Sequence, residues 1–159
     1  MKRPNQEPLK DWSTHALDIA ELILCLAEKA DILVTNVRLQ CLLVILDCAF
    51  YKATGVFCFD EPIERKPSHV TTNFIYPPYF VRSVYEIYRA SGINSLYHHS
   101  LLNNREAMES KTLFYLFDDK ICEMIQDLLK KTKDLSSESL CGLSIESIKQ
   151  LKLKKGQDR

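Results

Sequence analysis

The stretch TNVRLQCLLVILDCAFYKATG, residues 35–55, decides the fold. From Leu39 to Phe50 it is apolar almost all round, which marks a helix buried at the centre of a domain. It starts after Thr35 and stops at Gly55, where a helix end favours a left-handed residue. One narrow stripe breaks the apolar surface. At about 100° per residue, Asn36, Gln40, Asp47 and Tyr51 share one line along the helix. Leu43 and Val44 flank that line. A stripe facing outward would make them a sticky surface.

The same periodicity organises the chain on either side. Over Thr14–Ala30, Ala16, Ile19, Ala20, Ile23, Leu26, Ala27 and Ala30 fall on one face, with Asp18, Glu21, Cys25 and Glu28 opposite, which predicts a first amphipathic helix. Thr14 suits its cap. Beyond Gly55, Val56–Phe59 reads as a short strand, Asp60-Glu61-Pro62 as a turn and Ile63–Lys66 as the return. Residues 67–76 have β-branched and aromatic character without a helical period. Pro77-Pro78 suits the first turn of a third helix, with Phe80, Val81, Val84, Ile87 and Tyr88 as its buried stripe and Gly92 as its end. Residues 93–111 are mixed, with a break at Asn103-Asn104.

A fourth long helix spans Thr112 to about Lys133, with Leu113, Phe117, Ile121, Met124, Ile125 and Leu128 inward. A last helix starts at the cap Ser144, stapled by Leu143 and Ile148. The expected architecture is mainly α: five to six helices in one domain, 13–148, with a small β-hairpin between helices two and three. An arm (1–12) carrying Trp12 precedes it and a basic tail (149–159) follows.

Composition removes several functions. The 159 residues carry 21 Lys+Arg and 21 Asp+Glu, and this zero balance argues against a dedicated nucleic-acid binder. The basic tail, with Lys149, Lys152, Lys154, Lys155 and Arg159, reads as a solvated helix end suited to the C-terminal dipole. The four glycines are scattered, so no phosphate-binding loop or dinucleotide fingerprint exists. No apolar run approaches a membrane span, and the first residues have no signal-peptide core. A cytoplasmic chain is expected, with thiols kept reduced. The six cysteines form no C-x-x-C pair and read as small hydrophobes. Cys41 and Cys48 share a helix face but lie about 10.5 Å apart along the axis, too far for a disulfide.

Candidate chemistry is sparse. No His-Glu-x-x-His or Gly-x-Ser-x-Gly element is present. His69 and His98 with Asp118 or Asp119 are the first choice for a metal site, and surface histidines are the simpler reading. Asp60-Glu61 and Asp118-Asp119 suit a turn and a helix start. The aromatic run Phe74, Tyr76, Tyr79, Phe80, Tyr85 and Tyr88 exceeds what one helical stripe buries. Tyr79 and Tyr85 lie off that stripe and suit a protein-binding patch.

Ala16-Leu17-Asp18-Ile19-Ala20 in the first helix, the run Thr35 to Leu43 opening the second, and Gly55-Val56-Phe57 with Phe59-Asp60-Glu61-Pro62-Ile63-Glu64 resemble the Panacea antitoxin domain of SocA-like and GepA-like phage-associated proteins. The resemblance covers residues 14–92 and, over 112–141, only the helix order. Several positions depart from the family pattern. Cys41 stands where lysine is usual, Val44 and Ile45 where aromatic residues are usual, and Lys66 at a tryptophan place. Residues 67–76 look inserted, Pro77-Pro78 replaces a Gly-Pro turn, and the family's His-rich end is not evident near Leu140 to Ser144.

The resemblance implies a non-enzymatic module that neutralises a partner toxin by direct binding, with some members acting as adaptors for a protease. It implies no cofactor and no metal. The expected partner is another protein, a toxin or a host target. The expected binding surface joins Lys66, His69, Tyr76, Tyr79 and Arg82 to the helix-two stripe at Gln40, Val44 and Asp47. The alternatives are a repurposed phage or pathogen interaction protein of the same fold, a small metal-dependent hydrolase using His69, His98 and Asp118, and nucleic-acid binding through the tail.

Overall fold

Thr35 opens the central helix by accepting the Arg38 backbone N–H on its hydroxyl at 3.4 Å, with its own backbone extended. This satisfies one of the N–H groups that a first turn leaves without a helical partner. Gly55 closes the helix with φ +84°, and its N–H returns to the Tyr51 carbonyl at 2.8 Å. A side chain there would meet the left-handed penalty that glycine avoids. A computed structural model describes residues 16–65, 77–89, 95–96 and 119–155. In it the fold is mainly α: α1 (Ala16–Lys29), α2 (Asn36–Thr54), α3 (Arg82–Tyr88), α4 (Asp119–Thr132) and α5 (Ser137–Lys155). A two-stranded antiparallel element, β1 (Glu64–Arg65) with β2 (Tyr79–Phe80), lies between α2 and α3.

Helices α1 and α2 form the centre. Ile19 to Ala27 of α1 are all buried, and α2 is buried over most of its length. The face of α1 expected to be polar is therefore covered: Glu21 is only 3% exposed and accepts the Tyr88 hydroxyl from α3. Both central helices pack against α3 and α4, and α2 packs most extensively against α5. Ile121, Ile125 and Leu129 carry the inward stripe of α4, with Met124 and Leu128 half-buried. Cys25, Cys41, Cys48 and Cys58 are buried as small apolar side chains. Among the described residues no helix is long and apolar enough to cross a membrane.

Four boundaries differ from the sequence reading. Val56–Phe59 is not a strand, because side chains take its backbone donors. Asp47 accepts the Cys58 N–H at 2.9 Å and Thr54 accepts that of Val56 at 3.2 Å. Phe57 stacks on Tyr51 with ring centroids 4.3 Å apart. The partner of Glu64–Arg65 is instead Tyr79–Phe80, in the register Glu64 to Phe80 and Arg65 to Tyr79.

Helix α3 consequently starts at Arg82 rather than at Pro77-Pro78, and Ile87 lies 46% exposed off its buried face. Helix α5 starts after Ser136, whose hydroxyl accepts the Ser139 N–H at 3.1 Å. Ser144 is mid-helix and fully buried, with its hydroxyl donating to the Cys141 carbonyl. Leu140, Ser144, Ile148 and Leu151 form one inward line at helical spacing. The helix thus runs well into the expected tail, since Leu151 packs inward. The expected cap Thr14, Trp12, Gly92 and the break at Asn103-Asn104 lie outside the described residues.

Candidate functional site

The polar line on α2 is an internal frame and not a surface. Gln40, 0% exposed, donates to Asn36 Oδ1 at 3.2 Å and accepts the Val81 N–H at 2.8 Å. Asp47, also 0% exposed, holds the Cys58 N–H. Val44 is closed over by Ile148 and Leu151 of α5, in a small apolar cluster that also takes in Cys48, with half-buried Tyr79 packed against it. The expected surface role of Gln40, Val44 and Asp47 is therefore corrected. A buried amide or carboxylate needs internal partners, and here the acceptor oxygens take backbone N–H groups of the segments that wrap the helix, while the Gln40 amide N–H stays on the helix at Asn36.

Of the other expected contact residues, Tyr79 is half-buried and Arg82 is exposed. Lys66, His69 and Tyr76 lie outside the described residues, as do His98 and Asp118. Asp119 is exposed at the start of α4. Arg82 is engaged with the β element. Its Nε and Nη2 reach the two Glu64 carboxylate oxygens at 2.9 and 2.6 Å. The pairing draws the Glu64 carboxyl below its ordinary range. Arg65 lies over the Tyr79 ring, 5.9 Å from its centroid, and Arg82 over Phe80 at 5.6 Å. Glu61 accepts the Ser83 N–H at 2.8 Å and its hydroxyl, which caps the first turn of α3 with a carboxylate where the helix dipole favours one. Glu61 and Glu64 thus both brace the start of α3.

A second feature escaped the sequence reading. The C-terminal ends of α1 and α4 diverge around a groove of about 420 Å³. Apolar Leu26, Ala30, Ile32 and Leu129 line it together with Lys29, Lys130, Lys133 and Gln126. Leu33, 62% exposed, follows Ile32 in the chain. The local backbone explains the opening. Asp31 adopts φ +60°, and the Ile32 N–H returns to the Ala27 carbonyl at 2.8 Å while that of Asp31 returns to Glu28. This left-handed cap turns the chain abruptly and aims Ile32 back along the helix end. The helical period puts Leu26 and Ala30 on the core stripe; Leu26 is in the core and Ala30 is exposed. The lysines come from segments a hundred residues apart, so no local signal joins them.

Buried ionisable groups are few. Burial pushes the Glu21 carboxyl up to about 7, against the opposing effect of the Tyr88 hydroxyl and with small additions from Glu28 and Asp18. Burial, with Glu21 beside it, raises the Tyr88 phenol. Among the described residues no cluster of three or more His, Cys, Asp or Glu side chains could hold a metal ion. Comparison of the chain with protein-family models, with curated proteins and with solved structures gives no match.

Proposed function

We propose that the chain is a non-enzymatic protein-binding module whose docking site is the groove between α1 and α4. The observation that carries this reading is a groove whose lining combines apolar side chains with three lysines. Lysines in a last helical turn also complement the helix dipole. Their convergence on one groove adds positive charge that attracts carboxylates and steers a charged partner. The partner segment that fits is a short amphipathic one, with one or two apolar anchors for the apolar lining and acidic residues for the lysines.

The test is a displayed library of random peptides, selected on the wild-type protein and counter-selected on Lys130→Glu/Lys133→Glu. Enrichment of an apolar–acidic consensus that binds wild type and not the charge-reversed variant is expected. Selected peptides lacking acidic residues, or binding both proteins equally, would overturn the docking assignment.

An antitoxin role is the finer reading, supported by the Panacea-like runs at 16–20, 35–43 and 55–64. Its test is co-expression with the partner recovered by crosslinking from the source cell. A partner that arrests growth alone and is tolerated with this chain supports neutralisation. A partner harmless by itself removes the antitoxin role, favours the repurposed interaction protein, and leaves the binding module standing.

A further inference from the structure

Helices α2 and α5 bring two thiols into contact across their interface. The Sγ atoms of Cys41 and Cys141, a hundred residues apart in sequence, lie 3.5 Å from each other. Cys41 is 0% exposed, whereas Cys141 is half-buried, packed against the edge of the same core. The Cys41 thiol donates to the Cys141 sulfur. That bond, with burial, keeps the proton on Cys41, and the same bond draws the Cys141 thiol below its ordinary range. Arg38, one turn before Cys41 on α2, acts in the opposite sense on Cys41 and is outweighed by the bond and burial. The pair therefore sets a half-buried cysteine disposed to be the thiolate against a fully buried one, the division between attacking and resolving cysteines that thiol–disulfide exchange requires.

We propose that Cys41 and Cys141 are a redox-active dithiol, oxidised to an α2–α5 disulfide by a low-molecular-weight disulfide such as oxidised glutathione. The Cys141 thiolate attacks one sulfur of the oxidant. The oxidant's S–S bond breaks, a mixed disulfide forms on Cys141, and one thiolate leaves. Cys41 then gives up its proton to solvent or to the leaving thiolate and attacks the Cys141 sulfur. This forms the protein disulfide and releases the second small thiol. Two electrons pass from the protein pair to the oxidant, and two small thiols are the products. The sulfurs must close from 3.5 Å to about 2.05 Å. Elsewhere on α2, burial raises Cys48 to about 11, and in the segment after α2 complete burial raises Cys58 further. Thiols held protonated in apolar surroundings react slowly, so the reaction should bypass Cys48 and Cys58.

The experiment equilibrates the full chain with glutathione buffers of increasing oxidised fraction, blocks remaining thiols with iodoacetamide after denaturation, and maps unreduced tryptic peptides by mass spectrometry. A crosslink between peptides 39–52 and 134–149 is expected, with fragment ions placing it on Cys41 rather than Cys48. Cys48 and Cys58 should carry the alkyl group. Oxidation should raise the thermal midpoint by several degrees, reversibly with dithiothreitol. Cys41→Ser should trap one glutathione on Cys141, and Cys141→Ser should take up none at Cys41 while folded. Wild-type protein that stays reduced at Cys41 and Cys141 across the series overturns the proposal. So does a crosslink that forms only in denaturant. Either wild-type result stands even where a serine variant fails to fold.

Discussion

The Gln40 side-chain carbonyl, from the second turn of α2, accepts the backbone N–H of Val81 at 2.8 Å, in a position sealed from solvent. Val81 is the residue before α3 and has no capping side chain of its own. One buried amide thus ties the central helix to the chain's return from the β element. Replacing Gln40 with leucine leaves the Val81 N–H without its acceptor. The expected cost is about 2 kcal/mol, read as a lower urea midpoint with an unchanged slope.

Glu21 sets a pH dependence. Its folded pKa of about 7 lies above the ordinary 4.5, so the folded chain holds this proton more tightly than the unfolded chain. The associated stability is fully present below about pH 4.5 and is lost as the pH rises through about 7, by at most about 3 kcal/mol. Glu21→Gln keeps an acceptor for Tyr88 and removes the titration. The variant should match wild type near pH 4 and exceed it by about 2–3 kcal/mol near pH 8, measured by urea unfolding at both. A gap of equal size at the two pH values would refute the assignment.

Arg38 joins three elements. From the first turn of α2, its Nη1 reaches the Leu135 carbonyl at 2.7 Å and its Nη2 the Thr132 carbonyl at 2.9 Å, where α4 ends and the turn to α5 begins. Arg38→Met should cost about 2 kcal/mol. Arg38→Lys should recover less than half of that, because a single ammonium lacks the fork that spans two acceptors. Chemical denaturation of the two variants side by side separates geometry from charge.

Two glycines should respond to alanine in opposite directions. Gly55 needs its positive φ, and Gly55→Ala should destabilise by about 1 kcal/mol although its surroundings are open. Gly142 sits on the outer face of α5 with nothing within 4 Å of an added Cβ. Gly142→Ala should stabilise by roughly 0.5–1 kcal/mol. Thermal melts of both variants give the signs directly.

The helical order was legible because it rests on periodicity. The span of α2 follows from a continuous apolar run between Thr35 and Gly55, and the stripe Ile121, Ile125, Leu128 recurs at helical spacing. The burial of Gln40 and Asp47 was not legible. A polar stripe has the same period whether it meets water or backbone N–H groups, and only the placement of Cys58 and Val81 decides between them. The strand partner of Glu64–Arg65 was missed for a related reason. Val56–Phe59 has strand character, but Asp47 and Thr54 consume its donors locally. Gly142 interrupted the pattern of α5 enough to move its apparent start to Ser144. The groove needs the ends of α1 and α4 together, which no window of sequence contains.

The dependence of α2 on α5 also governs how the chain emerges during synthesis. The helix that is apolar nearly all round is made about a hundred residues before the segment that closes over Val44 and Cys48. At ribosomal rates of about 5–20 residues per second, that interval is on the order of 5–20 s. Throughout it, the Leu42–Leu46 region has no final cover on its α5 side and is a natural client for a holding chaperone. Codon choices or mutations that delay residues 137–155 should therefore lower soluble yield more than equal delays upstream of α1.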